Sequence, residues 1–268
     1  MKTALSPCPN DTFLFHAWIE GVVGQELPIV PSFADIQQLN LWALQATYPL
    51  IKLSFPCFSK VVEKYQLLPI GSALGFHCGP KIVAKKLFPL NELSQKKVAI
   101  PGKETTAHFL MERLLGSHKA KRFCLYHEVF SLIEKGEVDC GLIIHESRFT
   151  FQEAGCVEIV DLGELWHRQT HLPLPLGGLA IARSLPDATK AKVIDILHAS
   201  LASARTLPNR CISFILKHSQ EKDRDIVKKH IDLYVNQETE HLSEKGIESI
   251  EQLLDHKLPK DWLYGKNV

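Results

Sequence analysis

The sequence predicts an α/β protein of two lobes, the second inserted into the first. Short β-branched or apolar runs alternate with amphipathic stretches along most of the chain. Two turn-rich segments punctuate that alternation, and the last third becomes charged and helical. The 268 residues fit two domains of roughly 150 each, or one large one. A chain of that size buries ~70–75% of its unfolded surface, enough for a core without disulfides or a metal.

The elements follow in order. Lys2–Leu5, Pro28–Phe33 and Leu50–Ser54 are strand-like apolar runs, with Asp11–Ile19 and Asp35–Ala46 as helices between them. In the second helix Ile36, Leu39 and Ala43 fall at i, i+3 and i+7, one face of a 3.6-residue period. Phe58–Tyr65 reads as a helix, and Lys81–Ala84 and Lys97–Ile100 as strands. Between those strands Leu87-Phe88-Pro89-Leu90 breaks the pattern and marks the first crossing between lobes. Helices Thr105–Leu115 and Glu128–Lys135 alternate with strands Arg122–Leu125, Cys140–Ile144 and Val157–Val160. The run from Leu172 to Gly178, rich in Pro and Gly, marks the second crossing, before a strand at Gly178–Ala182. Asp187–His256 is expected to be helical, with boundaries at Pro208-Asn209 and at Ser243, followed three residues later by Gly246. The expected lobes are therefore 1–88 with 176–268, and 89–175. Two-lobed α/β proteins of this kind hold their ligand in the cleft between lobes.

Composition narrows the partners. Thirty-one basic residues against 30 acidic leave a formal charge of +1, no electrostatic footprint for nucleic acid or an anionic membrane. The longest uncharged stretches, Ile36–Ile51 and Tyr65–Pro80, fall short of the ~20 apolar residues of a spanning helix. The N-terminus has no apolar stretch of the secretory kind, so a cytoplasmic protein is expected. Seven cysteines (Cys8, Cys57, Cys78, Cys124, Cys140, Cys156 and Cys211) include no C-x-x-C pair, which speaks for reduced, buried thiols rather than disulfides or zinc.

Several signatures fail by counting. A phosphate loop ending at Gly102-Lys103 needs Gly where Lys97 stands and Ser or Thr where Glu104 stands. No G-x-G-x-x-G follows a strand, and no G-x-S-x-G is present. His145-Glu146 lacks the second histidine of H-E-x-x-H, because Phe149 occupies that place. His167 and His171 share a helix face without a clear third ligand, so a surface helix is the reading and no metal is expected. Chemistry without a metal or nucleotide remains.

Four segments can carry it. Ser6-Pro7-Cys8-Pro9-Asn10-Asp11-Thr12-Phe13 follows the first strand, and Asn10 or Asp11 either caps the next helix or helps present polar groups to a ligand. Thr105-Thr106 opens a helix beyond another strand, as a cap or as a seat for a carboxylate. Lys52-Leu53-Ser54 closes a third strand, at the end where α/β proteins bind ligands. His145 follows the apolar run Leu142-Ile143-Ile144, placed to act as a general base or to serve as a satisfied structural histidine.

Together, the segment from Ser6 to Ala17, Lys52-Leu53-Ser54, Val98 to Gly102 with Thr105-Thr106, Gly141 to Thr150, and Leu172 to Gly177 resemble the 1,4-dihydroxy-6-naphthoate synthases of the futalosine route to menaquinone. The likeness spans almost the whole chain and keeps the motifs in order, and Tyr234-Val235-Asn236 fits it too. The resemblance implies a type II periplasmic-binding-protein-like fold. It also implies a lyase that converts cyclic dehypoxanthinylfutalosine, a small carboxylated substrate, to 1,4-dihydroxy-6-naphthoate and dihydroxyacetone with no metal or organic cofactor. His145 matches the family's general base, and Lys52, Leu53, Ser54, Thr105 and Thr106 match its substrate-contacting segments. Asn10, on the wall built by the first motif, is added to the substrate-binding set. Phe55-Pro56-Cys57 and Phe76-His77-Cys78 depart from the family pattern and bear on pocket shape. The alternatives are a chorismate dehydratase-like enzyme of the same pathway, or a non-catalytic module binding a small carboxylate.

Overall fold

In the structure, a computed structural model describing residues 1–255 and 258–265, the first apolar run forms strand β1 (Lys2–Leu5), buried from Thr3 onward. Helix α1 (Pro9–Ile19) follows, with Pro9 in the first turn, where no backbone N–H is needed. Strand β2 (Val30–Phe33) leads to α2 (Ile36–Leu44), capped by the Asp35 carboxylate, which accepts from the Gln37 and Gln38 N–H groups. Strand β3 (Leu50–Ser54) is buried throughout. Helix α3 (Phe55–Val61) starts three residues before the expected Phe58, because Ser54 is extended and Pro56 fits the first helical turn.

Strands β4 (Tyr65–Leu67) and β5 (Ala73–Gly75) went unread, being too short to show a period. Next come β6 (Lys81–Ala84), β7 (Val98–Ile100), α4 (Thr106–Leu115), β8 (Lys121–Phe123), α5 (Val129–Glu134) and β9 (Cys140–Ile143). The one-turn helix α6 (Ser147–Thr150), β10 (Val157–Asp161) and α7 (Leu162–Thr170) precede β11 (Leu174–Ala182). The turn expected at Leu172–Gly178 is mostly strand, since Pro175 suits extended backbone at a strand's start. The C-terminal part comprises α8 (Asp187–Thr206), α9 (Pro208–His218), α10 (Arg224–Tyr234), α11 (Gln237–Glu240) and α12 (Glu244–Leu254). His256, where helix was expected to end, lies outside the described residues.

The chain divides into Met1–Leu74 with Pro175–Val268, and Gly75–Leu174. The first unit carries a mixed sheet in the order β2-β1-β3-β11-β4, with β5 paired to β11. Within it β1 runs parallel to β2 and β3, so the carboxyl ends of these three strands share one end of the sheet. Helix α1 is buried along nearly its whole length, with α8, α9 and α10 packed on it, which is why its sequence lacks a polar face. Phe15 and Trp18 stack at 5.9 Å in that core, beside Leu5, Leu50 and Ile181.

The second unit carries the order β10-β6-β9-β7-β8. Its β6 strand pairs with β9 and β10, so residues 75–88 belong here and not with the larger lobe, where the sequence reading put them. Periodicity could not have placed β6, because which sheet it joins is a matter of long-range pairing. Strands β8 and β9 both run parallel to β7. Val83, Ala99, Val129, Ile133 and Ile143 form the core beneath.

Candidate active site

The first unit gathers its polar residues where β1 ends and α1 begins. Lys52, inside β3, points its ammonium at Asp11 Oδ1 (2.9 Å) and donates to the Gly71 carbonyl (3.0 Å). Both partners of the ion pair are buried, at 6% and 2% side-chain exposure. Asp11 also accepts from the Ser6 N–H (3.3 Å) and from Asn10 Nδ2 (2.9 Å). Half-buried Asn10 in turn accepts at Oδ1 from His230 Nε2 on α10 (3.2 Å). Neither Asn10 nor Asp11 is the expected cap, because α1 already starts at Pro9 with Cys8 at the cap position; Asp11 instead ties the turn to Lys52 of β3.

Ser54, at the end of β3, is gripped by Asn40 of α2. The Ser54 N–H donates to Asn40 Oδ1 (2.9 Å), and Asn40 Nδ2 donates to Ser54 Oγ (2.5 Å). Leu53 between them is fully buried and pairs with Gly178 of β11. A Cβ at Gly177 would lie 2.5 Å from the Leu53 carbonyl oxygen, so β11 approaches β3 only because that position is glycine.

In the second unit the parallel strands β7, β8 and β9 deliver their following residues to one end of the sheet. After β7, Gly102 adopts φ +103°, left-handed backbone that a side chain would strain. Thr105 then caps α4: its hydroxyl donates to the Gly102 carbonyl (3.0 Å) and accepts from the His108 N–H (3.2 Å). His108 Nδ1 donates to the Lys103 carbonyl (2.8 Å), fastening the loop on its other side. Thr106 is buried in the first turn of α4. The positive helix end and its amides make this a favourable seat for an anion.

His145 stands two residues beyond β9, in the turn before α6, half-buried and at φ +56°. Histidine tolerates this left-handed conformation better than most residues, but it is uncommon and marks a turn fixed by its surroundings. Tyr126, after β8, sets its ring 5.2 Å from the imidazole at 73°. Arg148 of α6 anchors the turn. Its guanidinium donates to the Gly79 carbonyl (3.0 Å) and to Asp161 (3.2 Å), and its backbone N–H reaches the His145 carbonyl (3.4 Å). Asp161 also accepts from the Gly163 N–H (2.8 Å) at the start of α7. Burial pushes the Asp161 carboxyl above its usual range, with Arg148 and Lys81 pulling the other way.

The sequence-predicted residues thus fall into three groups. Asn10 and Lys52 meet through Asp11, and Leu53 and Ser54 follow on the same strand. Thr105, Thr106 and His145 share one end of the second sheet, beyond parallel neighbours β7 and β9. His230, Asn40 and Tyr126 were missed, each sitting 14 residues or more along the chain from the residue it meets, so only pairing across elements could reveal it; Arg148 lies in the Gly141–Thr150 motif, but its bonds to Gly79 and Asp161 were not legible there. Asn236 bonds the Leu74 carbonyl (2.9 Å) and caps α11, a structural position.

His167 lies on α7 with its ring 5.9 Å from that of His171 and 3.7 Å from that of His77. Among the described residues no group of three or more His, Cys, Asp or Glu could hold a metal ion. None of the seven cysteines is joined in a disulfide; six are buried and Cys124 is half-buried. Among the described residues no helix is long and apolar enough to cross a membrane.

Comparison with known proteins adds to this geometry. Residues 1–257 match the family described as menaquinone biosynthesis. A Thermus thermophilus protein named 1,4-dihydroxy-6-naphthoate synthase is 37% identical over 94% of this chain and 92% of its own length. One of the same name from Streptomyces coelicolor is 35% identical over 95% of this chain and 91% of its own. A crystal structure from Archaeoglobus fulgidus superposes with a TM-score of 0.90 at 31% identity, covering 95% of each chain. A Candida albicans protein described as having the generic periplasmic binding protein fold matches with a TM-score of 0.67 at 10% identity. That match covers 97% of this chain and 92% of the other, and at such low identity it speaks to fold alone.

Proposed function

Since this chain belongs to the menaquinone biosynthesis family, we propose that it is the carbon–carbon lyase that converts cyclic dehypoxanthinylfutalosine to 1,4-dihydroxy-6-naphthoate and dihydroxyacetone. The observation that carries this reading is the nearly full-length likeness to the two bacterial synthases. The reaction is retro-aldol-like: a carbon–carbon bond next to a ring carbonyl breaks, the three-carbon ketone leaves, and aromatisation of the ring supplies driving force. It calls for a base, a seat for the carboxylate and a partner for developing enolate charge. It needs neither a metal nor an organic cofactor, and it runs in the cytoplasm.

His145 is the base. It takes the proton whose removal starts the collapse, a contribution of ~10²–10⁴-fold for a positioned general base. Its support is the left-handed turn beyond β9, with Tyr126 beside the ring and the Arg148 N–H on the His145 carbonyl. Thr105 and Thr106, with the first turn of α4, take the carboxylate. Lys52, Leu53, Ser54 and Asn10 are assigned to another substrate oxygen, where the Lys52 charge favours the enolate.

The test is purified protein with cyclic dehypoxanthinylfutalosine and no added metal, followed by mass spectrometry beside His145→Ala. Both products from the unaltered chain, and a rate at least a hundredfold lower in the variant, are expected. Tight binding without turnover would favour the non-catalytic carboxylate-binding reading, which the likeness to binding-protein folds keeps in play.

A further inference from the structure

His230 is a buried, titratable side chain that the proposed chemistry does not use. It lies on α10 with 2% exposure, some 220 residues from the turn it touches. Its Nε2 lies 3.2 Å from Asn10 Oδ1, and its ring packs 4.9 Å from that of Tyr234. Asn10 Nδ2 lies 2.9 Å from Asp11 Oδ1, the same oxygen that Lys52 approaches at 2.9 Å. These contacts fix the direction of every hydrogen bond in the row. The Asp11 carboxylate, paired with an ammonium, can only accept, so the amino group of Asn10 must face it. The Asn10 carbonyl oxygen therefore faces α10, and His230 must donate its Nε2 hydrogen there.

We infer that His230 is a positioning residue, which together with Asp11 locks the Asn10 amide in one of its two flipped orientations and so sets what that amide offers the substrate. The inference rests on the reading that Asn10 binds substrate. An unlocked asparagine exchanges its donor and acceptor ends at little cost. Held from both sides, by an acceptor at Nδ2 and a donor at Oδ1, half-buried Asn10 keeps its second amide hydrogen as a donor in a constant direction. Such a donor selects a substrate oxygen and rejects an N–H at the same place. The effect is on binding, since His230 touches no reacting atom.

The experiment uses the full chain with four changes: His230→Phe, His230→Gln, Asn10→Ala, and His230→Phe with Asn10→Ala. Steady-state kinetics with cyclic dehypoxanthinylfutalosine are read beside the side-chain amide resonances of Asn10 in ¹⁵N-labelled protein. His230→Phe, which keeps ring volume but no donor, is expected to raise KM about tenfold with kcat within about twofold, the pattern of lost uniform binding. His230→Gln, which restores a donor, is expected to recover most of that loss. In the Asn10→Ala background, His230→Phe is expected to leave KM unchanged, because the two act as one unit. An equal rise in KM with and without Asn10, or no difference between His230→Phe and His230→Gln, overturns the inference. Absence of turnover by the unaltered chain instead overturns the assigned reaction. In that event the amide resonances decide: a shift in His230→Phe that His230→Gln reverses supports the lock, and unmoved resonances refute it.

Discussion

Replacing Lys52 by methionine removes an ammonium and keeps much of the aliphatic stem. Asp11, 2% exposed, then loses its ion partner at 2.9 Å and keeps only the Ser6 N–H at 3.3 Å and Asn10 Nδ2 at 2.9 Å. The Gly71 carbonyl loses its Lys52 donor as well. Removing one partner of a buried pair costs about 3–5 kcal/mol, because the remaining charge stays desolvated. Native stabilities are only ~5–15 kcal/mol, so the variant should unfold at a markedly lower urea concentration with an unchanged slope. Lys52→Met with Asp11→Leu removes both charges and should regain most of that loss. The refolded double variant also separates two roles of Lys52: stability returns, whereas turnover should stay low if the ammonium favours the enolate. A loss below ~1 kcal/mol in the single variant, the range of exposed pairs, would refute the claim that this pair is desolvated. Additive losses in the double variant would refute it equally.

Other outcomes follow from single features. Gly163→Ala would bring a Cβ to 2.1 Å from the Cys78 carbonyl carbon, so a loss of about 1–3 kcal/mol is expected in urea unfolding, and a neutral result would show that the Cys78–Gly79 backbone yields freely. Burial pushes the thiols of Cys140 and Cys211 up to about 12, so iodoacetamide at pH 8 should leave both unmodified until denaturant is added, as peptide mass spectrometry would report. His16 and His218 are held below 6.5, chiefly by burial, so the fold prefers their neutral forms. Their contribution is complete above pH 6.5 and is lost as pH falls through the lowered values, so the urea midpoint should drop between pH 7.5 and 5.5.

Local chemistry was legible where it repeats or caps. The period of Ile36, Leu39 and Ala43 located α2, although Asp35 proved to be its cap and the helix closed at Leu44. Thr105 was read as either cap or carboxylate seat, and its hydroxyl does cap α4. Helix α3 slipped by three residues because a proline that reads as a break can equally open a helix. Strands of three residues, β4 and β5, carry too few positions for alternation to show.

The site divides in the same way. His145 was visible from the apolar run before it, but its left-handed backbone and the Tyr126 ring beside it were not. Lys52 was placed near the end of its strand, but its burial and its tie to Asp11 were not legible there. By itself the sequence determined the α/β alternation, the capped turn after β7, and the family likeness, since each rests on local residue patterns. Tertiary structure alone decided which sheet β6 joins and which partners hold Lys52, Ser54 and Asn10. Those partners lie up to 220 residues away, and the desolvation that makes them matter arises only once both are buried together.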